Sequence, residues 1–125
     1  MQFKNFSEVQ GEEFPAGRLT KVIVGPGQTL TAQNFVLGYV TIYPGGSVPI
    51  HSHPEEEVYT VLEGEGVMAI GEETQTLKAQ ASVYIPSGEA HSLANHSSSD
   101  LKMLFVYSPA NIVEHWAAER AGKNK

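Results

Sequence analysis

The sequence contains no cysteine, few basic residues and no long hydrophobic run. Its 125 residues include 8 lysines and arginines against 14 aspartates and glutamates, for a net charge of −6. Without cysteine there is no disulfide framework and no thiolate metal site, so a metal would need nitrogen and oxygen ligands. The acidic balance argues against binding to nucleic acid or to an anionic membrane surface. Because no stretch is long enough to cross a membrane and residues 1–14 lack the apolar segment of a secretory signal, we expect a cytoplasmic protein.

The chain has the length and the 41% apolar composition of one globular domain, residues 1–125. Short segments rich in β-branched and aromatic residues alternate with glycine- and proline-containing turns. The clearest strand candidates are NFVLGYVTIY (34–43), EVYTVLEG (57–64), VMAIG (67–71), SVYIP (82–86) and LKMLFVY (101–107). Many short strands with no helix between them predict an antiparallel all-β sandwich or barrel.

The end of the chain has a different pattern, typical of a helix. Apolar residues recur at the spacing of one helical face, and Trp116 is the largest of them. Ser108 suits the N-cap, Pro109 suits the first helical position and Gly122 suits the end. We therefore predict a C-terminal helix over about residues 109–121, which lays Trp116 on the barrel or on a partner.

The stretch HSHPEEEVY places two histidines and a glutamate where they can share a face. On a strand, His51 and His53 point the same way, with Cα atoms about 6.5–7 Å apart. Glu57 has the same parity beyond the bend at Pro54, and His91 opens another short strand after a turn. Three neutral imidazoles and one carboxylate suit Mn, Fe, Co, Ni or Zn, and would leave positions for water or a chelating substrate.

These residues resemble the two motifs of the cupin family. From Gly45 to Gly64 the sequence has glycine, five residues, histidine, one, histidine, three, glutamate, six, glycine, which is similar to the first cupin motif. From Pro86 to Asn95 it has proline, one residue, glycine, two, histidine, three, asparagine, which is similar to the second. One departure is Gln80, which stands six residues before the proline where the second motif often begins with glycine.

The resemblance implies a fold and a ligand set. The fold is a small double-stranded β-helix, or jelly roll, in a single domain with motifs at 45–64 and 86–95. The implied cofactor is one divalent transition metal, among Fe, Mn, Ni, Zn and Co. Its implied ligands are His51, His53, Glu57 and His91.

Several neighbours of these candidate ligands have other expected roles. Tyr59 shares the parity of Glu57, so it is a candidate acid or base, and the alternative is a packed ring with its hydroxyl bonded to backbone. Asn95 is expected to fix a turn or to support a neighbouring ligand rather than to touch substrate. We expect Glu55 and Glu56 to lie in solvent.

Two further histidines and four apolar side chains complete the expectations. His96 is predicted to lie in a loop, and His115 on the helix surface beside Glu119, neither as a metal ligand. Candidates for the barrel wall, on faces that the sequence does not fix, are Met68, Met103, Phe105 and Tyr107.

Two classes of function suit this pattern. The first is a metal-dependent enzyme on a small oxygen-chelating substrate, anionic or diol-like, with Glu57 and Tyr59 as catalytic candidates. By resemblance, its reaction would be that of a dioxygenase or of an isomerase, lyase or decarboxylase. The alternative is a non-catalytic module that binds a small molecule or carbohydrate. We also expect a homodimer, because residues 34–43 form a long apolar strand for an exposed edge and cupins commonly pair their sheets.

Overall fold

The computed structural model describes residues 1–110 and 114–122, most of which form β-strands. The described part contains eleven strands, one short 3-10 helix and one α-helix. The strands are β1 (Glu12–Phe14), β2 (Arg18–Gly25), β3 (Leu30–Thr31), β4 (Val36–Ile42), β5 (Ser47–His51), β6 (Glu56–Glu63), β7 (Glu65–Ile70), β8 (Glu73–Lys78), β9 (Ser82–Ile85), β10 (His91–Ala94) and β11 (Leu101–Ser108). The 3-10 helix is Phe6–Glu8 and the α-helix, α1, is Glu114–Arg120.

The strands form two sheets that enclose one core. The larger sheet has the order β1-β2-β4-β11-β6-β9 with β3 beside β2, and the smaller has the order β5-β10-β7-β8. A single buried cluster takes side chains such as Val61 and Met103 from the larger sheet and Met68 and Leu93 from the smaller. Burying one face of each sheet against the other stabilises both. The predicted all-β jelly roll is thereby confirmed.

Each of the five predicted strands is present, with ends shifted by one or two residues. The four candidate wall residues all belong to the buried core. Among the strands not predicted is β2, whose sequence RLTKVIVG begins with a buried arginine. Unpaired arginine and lysine are rarely buried, so the polar residues of this segment made it look unlike a strand that faces the core.

The C-terminal helix is shorter than predicted. The range 109–121 is wrong at its start, because Ser108 ends β11 and donates its hydroxyl to the carbonyl of Asn34 at 2.8 Å instead of capping a helix. Part of the prediction falls on residues 111–113, which lie outside the described residues, as does the side chain of His115. Glu119, expected at the surface, is only 3% exposed.

Helix α1 lies against the barrel through its aromatic residue. The ring of Trp116 is 6.1 Å from that of Phe105 and 6.4 Å from those of Phe14 and Tyr107. Edge-to-face contacts of this kind add to the apolar area that the helix buries. Among the described residues, no helix has the length and apolar character needed to cross a lipid bilayer.

The first reason for expecting a homodimer, that residues 34–43 form an exposed edge strand, is wrong. Strand β4 is central, since it pairs with β2 on one side and β11 on the other, so it presents no open edge. A different feature still favours pairing. On the outer face of the larger sheet, an apolar row runs through Leu37, Val106, Val58 and Tyr84, and Tyr84 is 56% exposed. The homodimer therefore stays a prediction.

Light scattering tests this prediction. We expect a mass twice the 13.5 kDa of one chain at micromolar concentration, because pairing would cover the apolar row. Val58→Glu places a charge in that row and should give monomers. Gln75→Glu, on the exposed strand β8, adds the same charge and should leave the dimer intact. A single-chain mass for the unaltered protein would contradict the prediction.

Gln80 adopts a backbone conformation that favours glycine. Its φ is 75°, in the left-handed region, and its backbone N–H donates to the backbone carbonyl of Val61 at 2.8 Å. The position that often holds glycine in the second cupin motif thus keeps the glycine-like turn with a different residue.

We expect Gln80→Gly to stabilise the protein. Relief of the left-handed conformation contributes about 1–2 kcal/mol, and the greater freedom of glycine in the unfolded chain offsets about 0.4–1 kcal/mol of that. The free energy of unfolding in urea should rise by about 0.5–1 kcal/mol. Gln80→Val, with a β-branched side chain, should lower it. Equal stability of all three proteins would show that the turn is not strained.

Candidate metal centre

The four predicted ligands come from both sheets and meet inside the barrel. His51 is the last residue of β5, and it lies opposite His91, the first residue of β10. His53 follows β5 by two residues, and Glu57 lies near the start of β6 in the larger sheet. Three of the four side chains are buried, and His51 is partly buried. The cluster of four side chains is therefore largely shielded from water and lies at one end of the packed core.

One donor atom of each of the four residues lies within 4.8 Å of the other three. The Nε2 atom of His53 is 3.1 Å from Oε1 of Glu57, and the Nε2 atom of His91 is 3.3 Å from the same oxygen. Spacing in the sequence predicts that these residues could converge, and the structure brings them together. Donor atoms this close together can ligate a single ion.

The three histidines are held in the same way. Each Nδ1 lies within hydrogen-bond distance of a backbone carbonyl two residues away, at 2.7 Å for His51, 2.9 Å for His53 and 2.9 Å for His91. In a neutral ring, an Nδ1–H that donates to a carbonyl leaves the lone pair on Nε2. The fold thus fixes both the orientation and the tautomer that metal ligation needs.

This arrangement fits a divalent transition metal. The Nε2 atom of His91 is buried and makes no hydrogen bond within the described part of the chain. The Nε2 atoms of His91 and His53 both face an oxygen of Glu57, so in the neutral rings with Nδ1–H a cation is needed between the nitrogens and that oxygen, either a proton or a metal ion. Imidazole nitrogen favours Mn, Fe, Co, Ni or Zn over calcium and magnesium.

Electrostatics couple the cluster. Burial disfavours the charged form of His53, but the hydrogen bond and charge of Glu57 outweigh it and raise the pKa of His53. Burial likewise opposes ionisation of Glu57, yet His53 and His91 keep its pKa below the usual value. Burial lowers the pKa of His51 to about 4. The site therefore combines one carboxylate with rings that become neutral ligands when a metal replaces protons.

Glu55 is not in solvent, contrary to expectation. It is 3% exposed, its carboxylate lies 3.5 Å from Nδ1 of His53, and its own carbonyl accepts the hydrogen bond from that nitrogen. Glu55 is therefore a support for His53. Glu56 is exposed as expected and accepts the hydroxyl hydrogen bond of Tyr84 at 2.7 Å.

Tyr59 points into the barrel beside the cluster. It is 3% exposed, and its ring centre is 6.0 Å from that of His91. Burial and the charge of Glu57 raise the pKa of Tyr59 well above 10, while Arg18 acts in the opposite direction. The phenol is therefore neutral at physiological pH. If Tyr59 acts in catalysis, this environment favours a proton donor over a base.

Asn95 and His96 lie where the sequence predicts. Asn95 is fully buried, and its amide donates to the carbonyls of Ile42 at 2.9 Å and Ser99 at 2.8 Å. It therefore fixes the loop after β10. His96 is exposed and does not belong to the histidine–glutamate cluster.

The cavity beside the cluster is small and mixed in character. Its wall includes Met103, Phe105, Tyr107 and Trp116, and also Arg18 and Thr20 from β2. The volume open to a water molecule is about 20 Å³, which is room for about one water. Sequence reasoning missed Arg18 and Thr20. The one available signal was their spacing of two in a segment rich in β-branched residues.

Comparison with known proteins adds a family match, two relatives and one solved structure. Residues 38–107, which include all four cluster residues, match the family model described as a cupin domain. The chain is 41% identical over 64 residues to an oxalate-binding protein of Thermotoga maritima, covering 50% of this chain and 53% of that protein. It is 28% identical over 94 residues to the tetracenomycin polyketide synthase protein TcmJ of Streptomyces glaucescens, covering 74% and 62%. The chain thus spans about half to three-fifths of these two relatives.

Solved structures give the same overall shape. A protein of Thermotoga maritima described as a predicted oxalate decarboxylase superposes with a TM-score of 0.75 at 25% identity, over 86% of this chain and 99% of that one.

Proposed function

Because the chain belongs to the cupin domain family, we propose that its histidine–glutamate cluster holds one divalent transition-metal ion and converts a small oxygen-chelating organic molecule. The observation that carries the proposal is the convergence of two histidine Nε2 atoms on one oxygen of Glu57, at 3.1 and 3.3 Å. Backbone carbonyls fix the three rings for ligation before any ion arrives. The proposed ligands are His51, His53, Glu57 and His91.

The residues around the cluster suit charge development on a substrate oxygen. When bound, the ion would supply a Lewis acid and, if redox-active, a centre for chemistry with dioxygen. Glu57 contributes the one negative charge among the ligands. Tyr59 keeps its proton at physiological pH and can donate it to an oxygen that becomes negative. Apolar walls exclude water and so strengthen both interactions.

Similarity to proteins of Thermotoga maritima supports one substrate class. A curated relative and a solved structure from that organism both have names that refer to oxalate, a small dianion whose paired oxygens chelate metals. We therefore favour a carboxylate-bearing substrate and decarboxylase- or lyase-type chemistry over the dioxygenase and isomerase alternatives. The test is turnover: protein loaded with Mn²⁺, Fe²⁺ or Zn²⁺ is incubated with oxo acids, dicarboxylates and diols, with and without oxygen, and products are followed by NMR.

A binding module is the second candidate. The relative described as an oxalate-binding protein favours it. A binder would retain these ligands unchanged after long incubation with metal-loaded protein, whereas an enzyme would release product.

Tyr59→Phe tests the proposed proton donor. Loss of the phenol hydroxyl should lower the rate by about 10²–10⁴ while metal content stays unchanged, because general acid catalysis contributes an effect of that size. Steady-state kinetics and elemental analysis measure the two quantities. Tyr84→Phe is the matched control, since Tyr84 is 56% exposed and should leave the rate unaltered. An unchanged rate in Tyr59→Phe would assign Tyr59 to packing.

A further inference from the structure

Arg18 is a buried cation on the wall of the same cavity as the metal cluster. It is 2% exposed and forms a two-pronged ion pair with Glu119 of α1, which includes a 2.7 Å hydrogen bond from Nη2 to Oε1. Its guanidinium also lies 4.2 Å from the ring centre of Phe14. The planar fork that binds Glu119 is the geometry with which arginine binds any carboxylate.

Thr20 offers a second polar group on the same wall. It lies two residues after Arg18 on β2, so both side chains point to the cavity. Thr20 is 5% exposed, and its Oγ1 has no hydrogen-bond partner among the residues that the structure describes. A buried hydroxyl left without a partner is costly, which suggests that a ligand group supplies one.

The space beside Arg18 is closed by α1. Trp116 lines the cavity, Glu119 covers Arg18, and the volume that remains is about 20 Å³. A carboxylate can reach the fork of the Arg18 guanidinium only if Glu119 withdraws from it. Its withdrawal would leave Arg18 as an unpaired charge in a largely apolar wall, which is unfavourable unless another anion replaces Glu119.

We propose that Arg18 is the residue that selects the substrate, by binding a carboxylate that takes the place of Glu119, with Thr20 donating to the same group. The inference rests on the proposed function, because it assigns the other end of the substrate to the metal cluster. The substrate class is then a small molecule with a metal-chelating oxygen at one end and a carboxylate at the other. Glu119 is an internal stand-in for that carboxylate.

The experiment measures carboxylate binding by the fluorescence of Trp116, the chain's single tryptophan. The probes are succinate and glutarate, whose two carboxylates are too far apart to form a tight five- or six-membered chelate on one ion, each beside the monocarboxylate of equal carbon number. Metal-free and Mn²⁺-loaded protein are titrated in parallel. In Mn²⁺-loaded protein at least one dicarboxylate should bind about 10- to 100-fold more tightly than its monocarboxylate.

Variants separate the roles of the two charged residues. Glu119→Gln removes the competitor and should tighten carboxylate binding about tenfold, with or without metal. Glu12→Gln is its matched control, because Glu12 pairs with Arg120 of the same helix at an exposed position and should change affinity little. Arg18→Met/Glu119→Gln removes both charges, avoids leaving either buried alone, and should abolish the preference for dicarboxylates.

The outcomes are distinct from those of the proposed function. If Glu119→Gln binds carboxylates no more tightly than the unaltered protein, or the double variant keeps the dicarboxylate preference, Arg18 does not select the substrate. If Glu119→Gln binds carboxylates more tightly in metal-free protein, but the unaltered protein neither binds metal nor forms product, the result would support Arg18 and refute the metal-dependent enzyme.

Discussion

Replacing His53 by alanine is expected to empty the metal site and leave the barrel folded. His53 contributes one of the three ring nitrogens and has an Nε2 atom 3.1 Å from Glu57. Loss of an outer hydrogen-bond partner alone costs roughly 10- to 100-fold in metal affinity, and loss of a ligand should cost more. Protein purified without added metal should therefore contain almost none, as measured by elemental analysis.

The fold should survive because the core does not depend on this ring. Fully buried side chains such as Val61, Leu101 and Leu93 form the core between the two sheets. Circular dichroism of metal-free His53→Ala should match that of the metal-free unaltered protein. His96→Ala is the matched control, since His96 is exposed and its loss should leave metal content unchanged. Full metal content in His53→Ala would exclude His53 as a ligand.

Replacing Glu57 by glutamine should reduce the rate far more than the apparent substrate affinity. Glutamine preserves the shape of the side chain but removes the only negative charge of the ligand set. Its amide can donate to the Nε2 lone pair of His53, which occupies the nitrogen that the ion needs. At saturating metal and substrate, we expect kcat to fall by about 10²–10³, comparable with the loss of other preorganised electrostatic groups.

Comparison of kcat with KM decides between the two classes of function. An enzyme should lose kcat in Glu57→Gln with little change in KM, because the charge acts most strongly in the transition state. Glu56→Gln, one residue away and exposed, is the control and should match the unaltered protein. If Glu57→Gln changes only ligand affinity, and the unaltered protein forms no product, the chain is a binding module.

The metal cluster was predictable because its geometry is encoded locally. Alternation along a strand places His51 and His53 on one face, and the same parity carries to Glu57. Arg18 was not predictable in this way, because its burial depends on Glu119, 101 residues later in the chain. Sequence periodicity carries no information about a partner at that distance. The prediction that Glu55 lies in solvent was wrong for a related reason. Its side chain lies in the bend before β6 and contacts His53 only when the fold holds that ring in place.

The strand order was equally hidden. β4 is central because β2, whose first residue is an arginine, pairs along its edge, and the apolar character of 34–43 alone could not distinguish a central strand from an exposed one. Local pattern thus predicted five of the eleven described strands and the shared face of the candidate ligands. The pairing partners of each strand, which decide what is an edge, required the whole chain.

An ion bound by the cluster would connect the two sheets in addition to any role in catalysis. His51 and His91 belong to the smaller sheet and Glu57 to the larger, so one ion bound to all three ties the two halves of the barrel together. The protein has no cysteine and therefore no disulfide, so metal ligation would provide a reversible cross-link between the sheets. An ion that binds only the folded chain adds about 2.7 kcal/mol at a concentration one hundred times its dissociation constant. The free energy of unfolding would then rise with the concentration of free metal. At low metal concentration the cluster would be empty and the contact between the two sheets less stable.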